Sequence, residues 1–304
     1  RLCLLKLIRP RMRGLLSLTL FSVLLSSLPA AEPPSYSFRN SELGDYTWVP
    51  KNGDVFHFQV EVSGKRLGYQ QLRFDRIESW PAILQEHGNL PDDVKGDRWQ
   101  VTVNVRFRYK ILGFTVFRYD HQNMEYWSID DRKNQPEASF WGLVSRTNND
   151  GEKHFVVASW TGESYKIRHK EDEPFELPRL FPGSYWHPAT SRQERLFNPQ
   201  EATSEPTPFN FLGRQSYPLQ QEDGREIAAL AYRADSRLPI TLWYAENDAS
   251  PGPVSVKKGE WMGMKFTSEK DRLIRYFRKN PAADLRAPSI KHSESHQWVN
   301  PVKE

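Results

Sequence analysis

The chain has 304 residues, with 42 basic and 38 acidic side chains, 13% aromatics and a single cysteine, Cys3. Arg1, Lys6, Arg9, Arg11 and Arg13 all lie in the first thirty residues with no acidic partner, so residues 31–304 carry 37 basic against 38 acidic groups. That near-neutral, thiol-free remainder excludes disulfides and thiolate metal sites, and it lacks the basic excess a nucleic-acid binder keeps.

In chain order, the first predicted element is a leader. Arg13 follows Met12, residues 15–28 are an apolar run broken only by Ser and Thr, and Leu28-Pro29-Ala30 offers a small residue for cleavage. This is the pattern of a signal peptide over residues 1–30 with the true start at Met12. The 14-residue run is shorter than a membrane span needs; the alternative is retention as an N-terminal anchor. Cys3 precedes the run, on the wrong side for lipid attachment. The expectation is an exported protein, periplasmic or secreted, with no transmembrane segment after cleavage. Residues 31–50 then read as a lead-in linker, 51–279 as one antiparallel β domain, and 280–304 as a polar, flexible tail.

From residue 56 onward, apolar and polar residues alternate in short segments separated by turn signals. Phe56, Phe58, Val60 and Val62 precede Ser63-Gly64-Lys65, and the chain returns over 67–74. The clearest alternation lies at 99–127. Trp99, Val101, Val103, Val105, Phe107, Tyr109 and Ile111 take the odd positions and polar residues the even ones, a strand with one apolar and one solvated face. After Leu112-Gly113-Phe114 the return strand presents Thr115, Phe117, Tyr119, His121, Asn123, Glu125 and Trp127. A three-residue loop sets Ile111 against Thr115, Val105 against His121, and Trp99 against Trp127.

Further strands are predicted at 140–147 and 154–160 about an Asp150-Gly151 turn, then at 209–216, 225–233, 239–244, 254–257, 260–266 and 273–278. Only 79–88 has helical character. Residues 168–208 break the pattern with seven prolines and Tyr185-Trp186-His187 at their centre. A segment of that length is a functional cover or a linker, and its aromatics favour packing back on the sheet. The predicted fold is all-β: a large curved antiparallel sheet, an open or half β-barrel of successive hairpins, with a long proline-rich covering loop.

The stretch "VFRYDHQNMEYW" raises the question of chemistry. His121 and Glu125 are four residues apart, which on a strand separates their α-carbons by about 13 Å and forbids a dyad or shared metal unless a bulge intervenes. Tyr119 and His121 are close enough to meet. Two readings stay open: the wall of a cavity with a few placed polar groups, or a core Tyr-His-Glu network satisfied by the proline-rich segment or by backbone. The ligand-pocket candidates are Phe107, Tyr109, Phe117, Tyr119, His121, Glu125, Trp127, Tyr185, Trp186 and His187. Arg106, Arg108, Lys110 and Arg118 line the outward face, either as a solvated surface or as a docking patch for anionic headgroups. The histidines lack metal-ligand spacing, "RTNNDGE" fails as a calcium loop at its first and last positions, and no Gly-x-Ser-x-Gly elbow or phosphate loop is present. No catalytic residue, metal or cofactor is therefore assigned.

The ordered blocks "FHFQVEVSGKRLGYQQLRFD", "LGFTVFRYDHQNMEYW", "SRTNNDGE", "YWHP" and "LPITLWY" resemble an uncharacterised family of exported bacterial β-proteins, a domain of unknown function, over roughly 54–279. The paired strands are also distantly similar to the half-barrels of periplasmic lipoprotein carriers of the Lol type. The chain departs from the pattern in an insertion at 78–95 and in "LFNPQEATSEP", which lacks a glycine after Leu-Asn. The resemblance implies fold and compartment and supplies no catalytic set. The functional expectation is non-enzymatic binding of a hydrophobic or amphipathic ligand, such as a lipid, inside the curved sheet. The alternatives are an envelope structural module that contacts a protein partner, and an enzyme using His121.

Overall fold

A computed structural model of the chain describes residues 31–111, 114–132, 134–218, 226–249, 255–268 and 271–279. The stretches predicted as a leader at 1–30, a turn at 112–113 and a tail at 280–304 lie outside the described residues.

The lead-in is more ordered than a linker. It carries β1 (Ser35–Ser37), β2 (Arg39–Asn40) and β3 (Asp45–Tyr46). The physical reason is aromatic burial: Phe38 is fully buried, its ring 4.4 Å from that of His187. The segment cannot leave the surface without exposing that side chain.

The main sheet is two meanders joined at their ends. The first comprises β4 (Val55–Val62), β5 (Lys65–Ile77), β6 (Asp97–Ile111), β7 (Phe114–Asp130), β8 (Glu137–Asn149), β9 (Glu152–Trp160), β10 (Tyr165–His169) and β11 (Phe175–Leu177). After the covering segment, with its small hairpin β12 (Arg195–Asn198) and β13 (Thr203–Pro206), come β14 (Phe209–Pro218), β15 (Glu226–Ala234), β16 (Ile240–Ala245), β17 (Trp261–Thr267) and β18 (Leu273–Lys279). The last strand pairs antiparallel with β4, giving the order β11 through β4, then β18 through β14. With β1 added alongside β8, the sheet has 14 strands among the described residues, and it stays open because β11 and β14 lie at opposite edges. Residues 178–208 connect those two edges, so the chain itself crosses the concave face.

The hairpin reading holds at the level of register. Val105 faces His121 and Trp99 faces Trp127, as the alternation requires. The tip differs: Ile111 pairs with Phe114 and Lys110 with Thr115, and a bulge between Tyr109 and Lys110 restores the frame so that Tyr109 faces Phe117. The bulge absorbs the residue that a three-residue loop would have used. At 149–152 the Asp-Gly turn forms with φ of 53° at Asp150 and 101° at Gly151, the left-handed pair that a two-residue hairpin demands. Of the strand predicted at 254–257, residue 254 lies outside the described residues, and 255–257 make one bridge, Ala249 to Val256.

A bulge in β8 decides which aromatics reach the core. The register shifts between Tyr126 and Trp127 where they meet Gly142 and Phe140, leaving Trp141 as the extra residue. Phe140 then packs inward at 4.9 Å from Trp127, while Trp141 turns outward to Trp80 at 5.6 Å. Gly142 is obligatory here, since a β-carbon would lie 2.3 Å from the Ala158 carbonyl oxygen. The insertion at 78–95 supplies Trp80 and a single short helix, α1 (Ala82–His87), which covers the convex side of β8 and β9. The Ser159 hydroxyl donates to the Leu84 carbonyl at 2.9 Å.

Candidate functional site

The inner face of β7 presents Phe117, Tyr119, His121, Asn123, Glu125 and Trp127 in succession, because residues two apart share a face. The structure divides the predicted pocket residues into two groups. Glu125, Trp127, Trp186 and His187 are sealed beneath the covering segment, each at most 1% exposed. Phe107, Tyr109, Phe117, Tyr119 and His121 lie toward the open end, where Phe117 is 38% exposed. Tyr185 sits between the two, with φ of 66°; its ring lies 5.9 Å from Trp261 and its carbonyl accepts the Tyr244 hydroxyl at 2.8 Å.

The sealed group is a polar latch inside an aromatic core. Trp127 packs at 5.3 Å from Trp186 and 5.8 Å from Phe181, and it stacks on His187 at 5.7 Å with planes 3° apart. Each buried indole removes about 200 Å² from water, on the order of 5 kcal/mol before the cost of ordering the segment. Within this cluster the Glu125 carboxylate accepts four hydrogen bonds. They come from Asn123 Nδ2 at 2.8 Å, Trp127 Nε1 at 3.1 Å, Ser184 Oγ at 3.1 Å and Trp186 Nε1 at 3.2 Å. None of these donors is a cation. Burial therefore pushes the Glu125 carboxyl up to about 7, against the opposing pull of the donors from Trp186, Ser184, Trp127 and Asn123. The residues predicted to wall a cavity around Glu125 instead close it: two of the four donors come from the covering segment. Of the Tyr-His-Glu network that the sequence left as the second possibility, only Glu125 is held by the proline-rich segment; His121 bonds Thr147 instead.

His121 takes no part in the latch. Its Nδ1 lies 2.8 Å from Thr147 Oγ1, its cross-strand partner, and burial lowers its pKa to about 4, so the ring is neutral near pH 7. Its ring stacks at 6.3 Å on Tyr119, which packs at 5.2 Å against Phe107. Farther along the same transverse row, His154 Nδ1 and His169 Nε2 are 3.3 Å apart, and Glu152 holds the far nitrogen of His154 at 2.9 Å. Among the described residues no group of three or more His, Cys, Asp or Glu side chains is placed to hold a metal.

Beyond this row β6 and β7 stand alone. Pairing with β5 ends at Phe107 and pairing with β8 ends at Tyr119, so the rungs from Arg108 and Arg118 outward form a projecting two-stranded ribbon. Its inner face carries Tyr109 and Phe117, continued at its base by Phe107 and Tyr119. Its outer face carries the predicted basic patch, which is an ion-pair cluster and not a set of free charges. Asp120 accepts from Arg106 Nε at 2.9 Å, from Arg108 Nη2 at 2.7 and 2.9 Å, and from Arg118 Nε at 2.6 Å. Burial alone would raise the Asp120 carboxyl; the hydrogen bonds from Arg118 and Arg108 and the neighbouring charges hold it below the usual carboxylate range. The Lys110 side chain lies outside the described residues.

Sequence reasoning missed Asp120, although the register that opposes Val105 to His121 also opposes Arg106 to Asp120. It also missed the buried pair Arg278 and Glu260, 3.1 Å apart. Parity offered a signal, since Arg278 shares its face with Tyr276.

The fold and site define an open antiparallel β-sheet protein whose concave face is filled by its own covering segment and whose projecting ribbon is aromatic inside and basic outside. The chain belongs to the family described as "Domain of unknown function (DUF6134)", which it matches over residues 92–279. Among solved structures it is similar to a "Beta-barrel-like Protein of Domain of Unknown Function DUF1849" from Brucella abortus. That likeness has 12% identity and a TM-score of 0.42, covering 76% of this chain and 98% of the other. No curated protein matches the chain. Among the described residues no helix is long and apolar enough to cross a membrane.

Proposed function

We propose that the protein is an exported, non-enzymatic binding protein that holds the apolar part of an amphipathic ligand, such as a lipid, against the inner face of the β6–β7 ribbon. One observation carries this reading. The ribbon leaves its neighbours just where its inner face is most aromatic, so Tyr109 is only half-buried and Phe117 is 38% exposed. An exposed, contiguous aromatic surface beside a few polar groups is the composition of small-molecule sites. The polar neighbours are His121 with Thr147, and beyond them His154 with His169. The space around Glu125, filled by Trp127 and Trp186, is not part of the proposed site.

Native mass spectrometry of protein purified from the exporting cell tests the reading, paired with titration of a fluorescent fatty acid. A co-purifying amphiphile is expected, together with at least tenfold weaker binding in the double variant Tyr109→Ser, Phe117→Ser, each lost aromatic contributing about 1–2 kcal/mol. Protein that carries nothing and titrates identically in both forms would overturn it.

A second reading, an envelope module that docks a protein, draws on a different place. Strand β14 is a sheet edge with Phe211 41% and Leu212 47% exposed, and such edges accept added strands. A photocrosslinker at Leu212 that captures one envelope protein, in the absence of bound amphiphile, would favour it. An enzyme using His121 draws least support, because Glu125 is engaged by indole, hydroxyl and amide donors and not by His121.

A further inference from the structure

The outer face of β6 and β7 carries a cluster of three arginines around Asp120, on the opposite side from the aromatic face. Arg106 lies opposite Asp120 and Arg108 lies opposite Arg118, so three guanidinium groups and one carboxylate form a compact block of two adjacent rungs. Like charges placed directly across a strand pair oppose folding. The block therefore holds a charge of +2 that a merely structural ion pair would not need.

The hydrogen bonds divide the labour among the arginines. Arg108 is consumed: Nη2 spans both Asp120 oxygens, and Nη1 donates to the carbonyls of Phe107 at 2.7 Å and Tyr119 at 3.2 Å. Arg106 and Arg118 each reach Asp120 through Nε alone. Their terminal nitrogens have no hydrogen-bond partner among the described residues, and each guanidinium presents two of them as a pre-oriented fork. Asp120 fixes both forks by their inner edges and leaves their outer edges to solvent. Paired guanidinium forks of this kind match the tetrahedral oxygens of a phosphate.

We propose that Arg106 and Arg118, ordered by Asp120 and braced by Arg108, form a docking site for phosphate-bearing headgroups on an anionic lipid surface. Two features select a surface over a free anion. The block sits at the base of the projecting ribbon: its Arg106–Asp120 rung is the last outward-facing rung still flanked by β5 and β8, and its Arg108–Arg118 rung is the first beyond them, where a planar partner can approach. Side-chain exposures of 29% for Arg106 and 56% for Arg118 give a shallow contact, without the enclosing pocket that a soluble phosphate requires.

The test is co-sedimentation of the full chain with vesicles of phosphatidylcholine alone or with phosphatidylglycerol added, with soluble glycerol phosphate as competitor. Wild type should bind only the phosphatidylglycerol vesicles, and more weakly as salt rises. The double variant Arg106→Gln, Arg118→Gln keeps Asp120 and the four hydrogen bonds of Arg108. Each lost charge should weaken partitioning roughly fivefold, giving about 25-fold for the pair, with the melting temperature unchanged. Equal binding to both vesicle types, or unchanged binding of the double variant, would overturn the site. Full competition by glycerol phosphate at equal phosphate concentration would instead identify a free-phosphate site and remove the lipid surface as its partner. Loss of amphiphile binding at Tyr109 and Phe117 is read on the other face of the ribbon, so the two proposals fail separately.

Discussion

The indole N–H of Trp186 donates to the Glu125 carboxylate across 3.2 Å, joining residues 61 positions apart in the chain. Through this contact the segment between the two sheet edges is fixed to the central strand it crosses. The partner oxygen and the Asn123 amide make the latch adaptable, because Asn123 Oδ1 has no hydrogen-bond partner among the described residues. An amide flip at Asn123 would turn that oxygen toward position 125.

That asymmetry predicts the effect of Glu125→Gln. The glutamine carbonyl can accept from Trp186, Ser184 and Trp127, and its amide can donate to a flipped Asn123, so the fold is kept. Wild-type Glu125 has its pKa raised to about 7 in the folded state, from 4.5 in the reference state. A raised carboxyl pKa contributes stability that is present below the unfolded value and lost as pH rises to the folded one. The stability of E125Q relative to wild type should therefore climb by about 3 kcal/mol between pH 4.5 and 7, then level off. Urea denaturation of both proteins across that range measures it; a flat difference would mean Glu125 is ionised in the folded state throughout. Glu125→Leu, which orphans four donors from Asn123, Trp127, Ser184 and Trp186, should cost roughly 3–5 kcal/mol at any pH.

His121 acts in the opposite direction. Its folded pKa is lowered to about 4 by burial, so the unfolded chain takes up a proton first as the medium is acidified. Its contribution is intact above pH 6.5 and lost as pH falls toward 4. Imidazole ¹⁵N shifts should show a neutral ring at pH 6, with titration only near 4. Thr147→Val removes the 2.8 Å partner of Nδ1 and should destabilise by about 1–2 kcal/mol without moving the latch.

On the ribbon, Arg108 and Arg118 should differ sharply although they face each other. Arg108→Ala removes four hydrogen bonds, two of them to Asp120, from a side chain only 27% exposed, and should cost about 2 kcal/mol. Arg118 is 56% exposed and holds Asp120 through a single nitrogen, so Arg118→Ala should change stability by less than about 0.5 kcal/mol. Thermal melts of the two single variants suffice to compare them. Equal losses would mean that the two arginines share Asp120 evenly.

Much of this was legible from alternation alone. The odd positions of 99–127 identified the concave face, and the glycine and Asp-Gly turns marked the hairpins, because strand period and turn chemistry are local properties. What alternation could not show were partners set by long-range closure. Whether Glu125 faced a cavity or a cover depended on Ser184 and Trp186, and the pairing of β18 with β4 joins the first strand of one meander to the last strand of the other. The tip bulge at Tyr109 was hidden for a different reason. A bulge exchanges one residue of loop for one of strand, so the hydrophobic pattern reads the same on either side of it.

The pair formed by Arg278 and Glu260 carries the sharpest prediction on stability. Arg278 Nη2 donates to Glu260 at 3.1 Å with both side chains about 5% exposed, and its guanidinium carbon lies 3.5 Å from the centre of the Phe56 ring. Burial lowers the Arg278 pKa to about 10 and raises that of Glu260 to about 7, with each partner's charge opposing the shift. Arg278 Nη1 is also buried without a partner, so the pair is not fully compensated. Removing one member leaves the other as an uncompensated charge. Arg278→Met or Glu260→Gln alone should therefore cost about 3–5 kcal/mol, the penalty typical of broken buried pairs. The double variant Arg278→Met, Glu260→Leu restores an apolar match beneath Phe56 and should lie within about 1 kcal/mol of wild type, because the desolvation cost of both charges disappears with them. A double-mutant cycle by chemical denaturation decides the point: additive losses would show that the two residues stabilise the fold separately and not as a pair.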